Sequence, residues 1–197
     1  MKTFLVVGLG NHGAAYANTW HNVGFIAVDR LCEELGFTFK KKPLVNYAIA
    51  EGSLNGCKVY LLKPYTYMNR SGEAVVAVMR KFKIPAENLV VIIDDLYIDK
   101  GKIRIGAGGS SGGGHNGTRS INEITGAKNY VKIKVGIKPE KEMHNQSSYV
   151  LARIPEDEKD IVSDSIDMAS ESVKMIIAGK TIADIQGKFN CKNKDKE

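Results

Sequence analysis

Apolar positions along this chain follow two rhythms that alternate from one end to the other. Continuous runs, residues 3–9 around Phe4-Leu5-Val6-Val7 and residues 89–93 from Leu89 to Ile93, read as strands covered on both faces of a sheet. Helical spacing follows the first run: Val23, Ile26, Ala27, Leu31 and Leu35 predict a helix over about residues 22–35, stopped by Gly36. Val75, Val78, Met79 and Phe82 predict a second helix capped by Ser71. Val162, Ile166, Ala169, Val173 and Ile176 predict a long one between the acidic start Glu156-Asp157-Glu158 and Gly179. Shorter helices are expected over residues 117–124, ahead of Gly126, and from Thr181 to about Phe189.

Period-two patterns fill the intervals. Residues 47–54 and 57–62 flank Asn55-Gly56, the two-residue signal of an antiparallel hairpin, and Lys102 to Ile105 alternates as a further strand. Val131, Ile133, Val135 and Ile137 alternate with Lys132, Lys134 and Lys138, which predicts a half-buried strand with one basic face. Tyr149-Val150-Leu151 is expected to extend or pair with the sheet. Lys40-Lys41-Lys42-Pro43 reads as a basic connector, and residues 106–114, almost all glycine and serine, as a loop. The sum is an α/β fold with a twisted mixed sheet flanked by helices, a single domain over residues 1–190 followed by a charged, frayed tail over 191–197.

Composition narrows this picture only a little. With 197 residues, 43% hydrophobic and 25% charged, the chain suits one ordinary globular core. No apolar run approaches the roughly 18 residues of a membrane span. The apolar stretch after Lys2 is too short, and too soon interrupted by Asn11-His12, to read as a signal peptide. Cys32, Cys57 and Cys191 are odd in number and share no CxxC spacing, which fits reduced cytoplasm better than a disulfide framework or a zinc site. A net charge of +6 allows a polyanionic partner, and equally a surface of solvated lysines, until clustering is seen.

Candidate chemistry begins at Gly8-Leu9-Gly10-Asn11-His12-Gly13, which spells GxGxxG after a strand. A dinucleotide site needs its helix to start at the glycines and an acid at the end of the next strand. Here the helix starts near Asn22, and Asp29 lies inside it. The glycines read instead as a bend around Asn11 and His21. Taken alone, His21 and Asn22 would pass for a surface histidine and a helix cap. Asp94, ending a second buried strand, changes that: a carboxylate on one imidazole nitrogen leaves the other as a base. His115-Asn116 closes the glycine-rich loop, which lacks the Lys-Ser/Thr ending of a phosphate-binding loop. Tyr65 and Tyr67, beside Met68-Asn69, offer faces on which an unpaired base could stack. With no nucleophile elbow and no metal-ligand spacing, water activated without metal or cofactor is the economical nucleophile.

Assembled in order, these pieces resemble the bacterial peptidyl-tRNA hydrolases. The matching segments are Val7-Gly8-Leu9-Gly10-Asn11 with Gly13, Tyr16 and His21-Asn22-Val23-Gly24; Pro64 with Tyr67-Met68-Asn69 and Ser71-Gly72; Asp94-Asp95-Leu96; and Gly113-Gly114-His115-Asn116-Gly117. The resemblance implies a monomeric enzyme that cuts the ester between a peptide and the 3' end of tRNA and so recycles tRNA from stalled translation. On that reading His21 is the base and Asp94 holds it. Asn11 recognises the blocked amino group, and Asn69 and Asn116 hold the peptide backbone and terminal nucleotide. Tyr16, Tyr67, Met68, Gly113, Gly114 and His115 line the cleft, and Arg119, Lys132 and Lys134 meet tRNA phosphates. Three features depart from the family pattern: His12 in place of proline, one extra glycine in Gly112-Gly113-Gly114, and Gly108 or Gly109 where a basic residue is usual. A nucleotide-dependent enzyme and a non-catalytic RNA-binding protein remain the rival classes.

Overall fold

The computed structural model describes residues 1–41, 44–108, 114–140 and 145–190. Seven strands form one sheet: β1 (Thr3–Gly8), β2 (Lys40–Lys41), β3 (Tyr47–Leu54), β4 (Cys57–Pro64), β5 (Leu89–Asp95), β6 (Ile103–Ala107) and β7 (Val131–Gly136). Their order is β2-β3-β4-β1-β5-β7-β6. The four central strands, β4, β1, β5 and β7, run parallel; β3 and β6 flank them antiparallel, with β2 beyond β3. The expected mixed sheet is therefore present, and its hairpin turns at Asn55-Gly56, both at positive φ as a tight two-residue turn requires.

The helices divide between the two faces, because successive strand residues point to opposite sides. Leu5, Val7, Leu62, Val91 and Ile93 pack with Val75 and Val78 of α2 (Ser71–Phe82) and Ile121 of α3 (Asn116–Thr125). Val6, Leu61, Val90 and Ile92 pack with α1 (Val23–Glu34). A later helix, α5 (Lys159–Ile177), and the last, α6 (Ile182–Phe189), share that second layer. Between β7 and α5 lies the short α4 (Gln146–Val150). Among the described residues no helix is long and apolar enough to cross a membrane.

Several expectations need correction. Residues 149–151 do not join the sheet; Tyr149 and Val150 end α4, whose cap Asn145 accepts a hydrogen bond from the Ser148 N–H. Ser71 does not cap α2 by accepting a bond; its hydroxyl donates to the Met68 carbonyl. Strand β6 runs on through Gly106 and Ala107, which pair with Lys132 and Val131. Lys40-Lys41 forms an edge strand rather than a bare connector. Strand β7 is not open to solvent on its lysine side either. Lys132 is only 4% exposed, so alternation there marks two different buried environments, not inside and outside. The tail over 191–197 lies outside the described residues.

Two glycines bring the first helix against the sheet. A Cβ on Gly8 would lie 2.1 Å from the Gly24 carbonyl oxygen, and one on Gly24 would lie 2.5 Å from the Ile92 oxygen. Only residues without side chains let the first turn of α1 rest directly on β1 and β5. That contact carries His21, just ahead of α1, to the end of the sheet.

Candidate active site

The parallel strands β1 and β5 end side by side where the chain switches from building one edge of the sheet to the other, the place in open α/β folds where ligands bind. Asp94 arrives on β5. His21 arrives on the 3-10 turn Trp20–Asn22, and His115 precedes α3. All three side chains are largely buried, at 4%, 12% and 6% exposure respectively.

Nδ1 of His21 lies 2.9 Å and 3.0 Å from the two Asp94 oxygens, and Nε2 of His115 lies 3.0 Å from Oδ1. Burial opposes ionisation of Asp94, but the electrostatic attraction of His115 and the hydrogen bonds from both imidazoles outweigh it, so the carboxyl is held well below its usual range. An ionised Asp94 fixes the rings: it accepts from Nδ1–H of His21 and Nε2–H of His115. His115 is fixed from its other side too, since its Nδ1 accepts the Gly117 N–H at 3.1 Å. Nε2 of His21 finds no protein partner among the described residues. That nitrogen is the open base.

The same three residues are the group whose potential metal-ligating atoms converge, within 4.8 Å. Their hydrogen bonding fits a cation poorly. A histidine that ligates through Nε2 ordinarily donates through Nδ1, whereas Nδ1 of His115 faces a donor and its Nε2 carries the proton.

Asn11 is gripped from both sides. Its backbone N–H donates to Asn22 Oδ1 at 2.8 Å, and Asn22 Nδ2 donates to the Asn11 carbonyl at 3.0 Å. Its own Oδ1 accepts the Met68 N–H at 3.1 Å. The acceptor is thereby used, and Nδ2 remains as a donor without a protein partner among the described residues. Asn22, 2% exposed, would pass for a helix cap when taken alone; it makes no capping bond and serves as this clamp instead. Pairing of two asparagines eleven residues apart leaves no periodic trace in a sequence.

These groups open onto a cleft of about 680 Å³, lined by Asn11, His21, Met68, Asp94, Gly114, His115 and Asn116. Gly117 allows its tight floor: a Cβ there would lie 2.6 Å from Leu9 and 2.7 Å from the Met68 sulfur. The far wall is Asn145, Gln146 and Ser147 at the start of α4, with Val150 and Leu151. The sequence pattern reads as loop and strand over this segment, so its polar residues were missed. Leu96 and Tyr97, just past β5, also contribute.

Other anticipated residues lie outside the described lining of the cleft. Tyr16 is half-buried in the turn Ala14–Tyr16; Tyr67 is 73% exposed; Asn69, on the turn Met68–Arg70, and Arg119, on α3, are exposed. Gly113 lies outside the described residues. Lys132 donates to the Gly108 carbonyl at 3.1 Å and lies over the Tyr130 ring. Burial, and after it the Lys134 charge, press its pKa below the ordinary value. Lys134 pairs with Asp95 at 2.8 Å.

A family model described as peptidyl-tRNA hydrolase matches residues 5–197. The peptidyl-tRNA hydrolase of Thermoanaerobacter sp. is 40% identical over 188 residues, covering 95% of this chain and 99% of that protein. That of Clostridium acetobutylicum is also 40% identical, covering 95% and 97%. Among solved structures, the peptidyl-tRNA hydrolase of Acinetobacter baumannii matches with a TM-score of 0.85 at 35% identity, covering 95% of this chain and 93% of that one. A peptidyl-tRNA hydrolase in complex with N-propanol matches with a TM-score of 0.87 at 34% identity, covering 96% and 95%.

Proposed function

This chain belongs to the peptidyl-tRNA hydrolase family, and on that premise we propose how its cleft cleaves the ester of peptidyl-tRNA. The enzyme is a hydrolase; water is the nucleophile, and His21 Nε2 takes its proton as the oxygen attacks the ester carbonyl. Asp94 holds Nδ1–H, keeps the ring in the tautomer with a free Nε2, and stabilises the imidazolium that forms. The proton then passes to the ribose oxygen that leaves. An ester needs no stronger apparatus, since its leaving group is better than that of an amide.

Asn11 selects the substrate. With its Oδ1 bound to Met68, the carboxamide presents an N–H, which suits the carbonyl oxygen of a blocked amino group and offers a free ammonium nothing to donate to. Asn116 at the cleft wall and Asn69 on the neighbouring turn hold the terminal nucleotide and peptide backbone, with the half-buried ring of Tyr16 and the exposed ring of Tyr67 beside them. Arg119 meets acceptor-stem phosphates. The enzyme works as a monomer in the cytoplasm.

The observation that carries this reading is the His21–Asp94 pair, oriented on both oxygens, at the mouth of a cleft large enough for a ligand. Release of tRNA from N-acetyl-aminoacyl-tRNA, followed with chelator present, tests it. His21→Ala is expected to abolish turnover while tRNA binding survives. Near-wild-type cleavage by that variant would remove His21 from the mechanism, and wild-type binding without cleavage would favour a passive RNA-binding protein.

A further inference from the structure

The loop that carries Asn11 has a soft backbone, with Gly10 before it and Gly13, at φ 123°, after it. The hydrogen bonds from Asn22 fix the Asn11 peptide groups, but the turn beyond must also be held if the carboxamide is to keep one direction. His12 occupies that turn. Its imidazole lies on the Tyr65 ring, with centroids 3.9 Å apart and planes inclined by 22°. Tyr65 is itself braced: its N–H donates to the Asn46 carbonyl at 2.7 Å, the Phe25 ring stands 6.4 Å away at 53°, and the Lys41 ammonium lies 5.6 Å from its centroid.

Tyr65 also opens the segment that includes Met68, whose N–H holds the Asn11 side chain. The two loops are thus joined twice, once by the Asn11–Met68 hydrogen bond and once by the stack of His12 on Tyr65. We propose that His12 and Tyr65 are a positioning pair for substrate discrimination: their stack keeps the Asn11 carboxamide aimed at the blocked amino group. Neither ring is among the described residues that line the cleft. The inference rests on the proposed role of Asn11 in selecting blocked substrates.

The test compares kcat/KM for N-acetyl-aminoacyl-tRNA with that for the same aminoacyl-tRNA left unblocked. His12→Ala and Tyr65→Ala are each expected to lower that ratio by about 2–12-fold, the equivalent of one aromatic pair. The double variant is expected to lose no more than the worse single one, because both changes break one contact. His12→Phe keeps a stacking ring and is expected to restore the ratio. Additive losses, failure of His12→Phe to restore, or a lowered melting temperature with an unchanged ratio would each overturn the proposal. Asn11→Ala, measured alongside, separates the two readings. A changed ratio there with none in His12→Ala overturns the stack alone, whereas an unchanged ratio in Asn11→Ala overturns both.

Discussion

Neighbouring strands β5 and β7 both carry charge into the interior, in register with one another, and dispose of it in opposite ways. Asp94 ends β5. It is nearly inaccessible, yet it lines an open cleft together with its two hydrogen-bond partners. Lys132 lies one residue from the N-terminal end of β7, equally inaccessible, and donates to the Gly108 carbonyl. A buried charge near the C-terminal end of a parallel strand can be lent to a ligand through its partners; one near the opposite end is consumed by the protein. Which end of the parallel strands the residue occupies, not burial, separates the two.

The largest effect expected from this contrast is at Asp94. In Asp94→Asn the carboxamide can present its nitrogen to His21 Nδ1, reversing the tautomer, and kcat is expected to fall by about 10²–10⁴-fold with KM little changed. Steady-state kinetics check this, and a loss under tenfold would mean that His21 is held by something else. Stability carries a second signature. The folded pKa of Asp94 is depressed, so its ionisation favours the fold above the unfolded value of about 3.9, and that advantage is lost as pH falls below it. The stability gap between wild type and Asp94→Asn, measured by urea unfolding, is expected to narrow in acid.

Next comes the backbone contact that delivers His21. Gly24→Ala places a Cβ 2.5 Å from the Ile92 and Leu9 oxygens, where only a shift of α1 can relieve it. Such overpacking is expected to cost about 1–3 kcal/mol in urea unfolding, with a loss of kcat in the fraction that still folds. Unchanged stability and rate would show that the close approach of α1 is not what sets the His21–Asp94 distance.

How much of this was legible in the sequence depends on the same geometry. Asp94 and His21 were legible, since Asp94 follows an unbroken apolar run and His21 precedes a clear helical period; a strand end and a helix start together identify one edge of a parallel sheet. The lysines of β7 were misread because alternation reports only that two faces differ. Here the second face is covered by Tyr130, Asp95 and the start of the glycine-rich segment. Asn22 was hidden for another reason. Its role depends on a contact across a loop, for which neither spacing nor composition gives a signal. The same holds for His12 on Tyr65, more than fifty positions apart.

Lys132 and Arg119 give the smallest effects and the sharpest contrast. Lys132→Met loses the hydrogen bond to the Gly108 carbonyl and the contact with the Tyr130 ring but also relieves a buried charge, so the net change in stability at pH 7 is expected to stay within about 1 kcal/mol. Because the folded pKa of Lys132 lies below its unfolded value, wild type should gain on this variant as pH rises towards about 10.4. Its tRNA affinity should keep the wild-type dependence on salt. Arg119→Ala, on exposed α3, should weaken tRNA binding several-fold and reduce the slope of log affinity against log salt by about 0.9, the release of one phosphate contact. Filter binding across a salt series reads both variants. If Lys132→Met flattens the slope as much as Arg119→Ala, the Lys132 ammonium reaches phosphate after all, and the distinction between lent and consumed charge fails at the strand on which it was drawn.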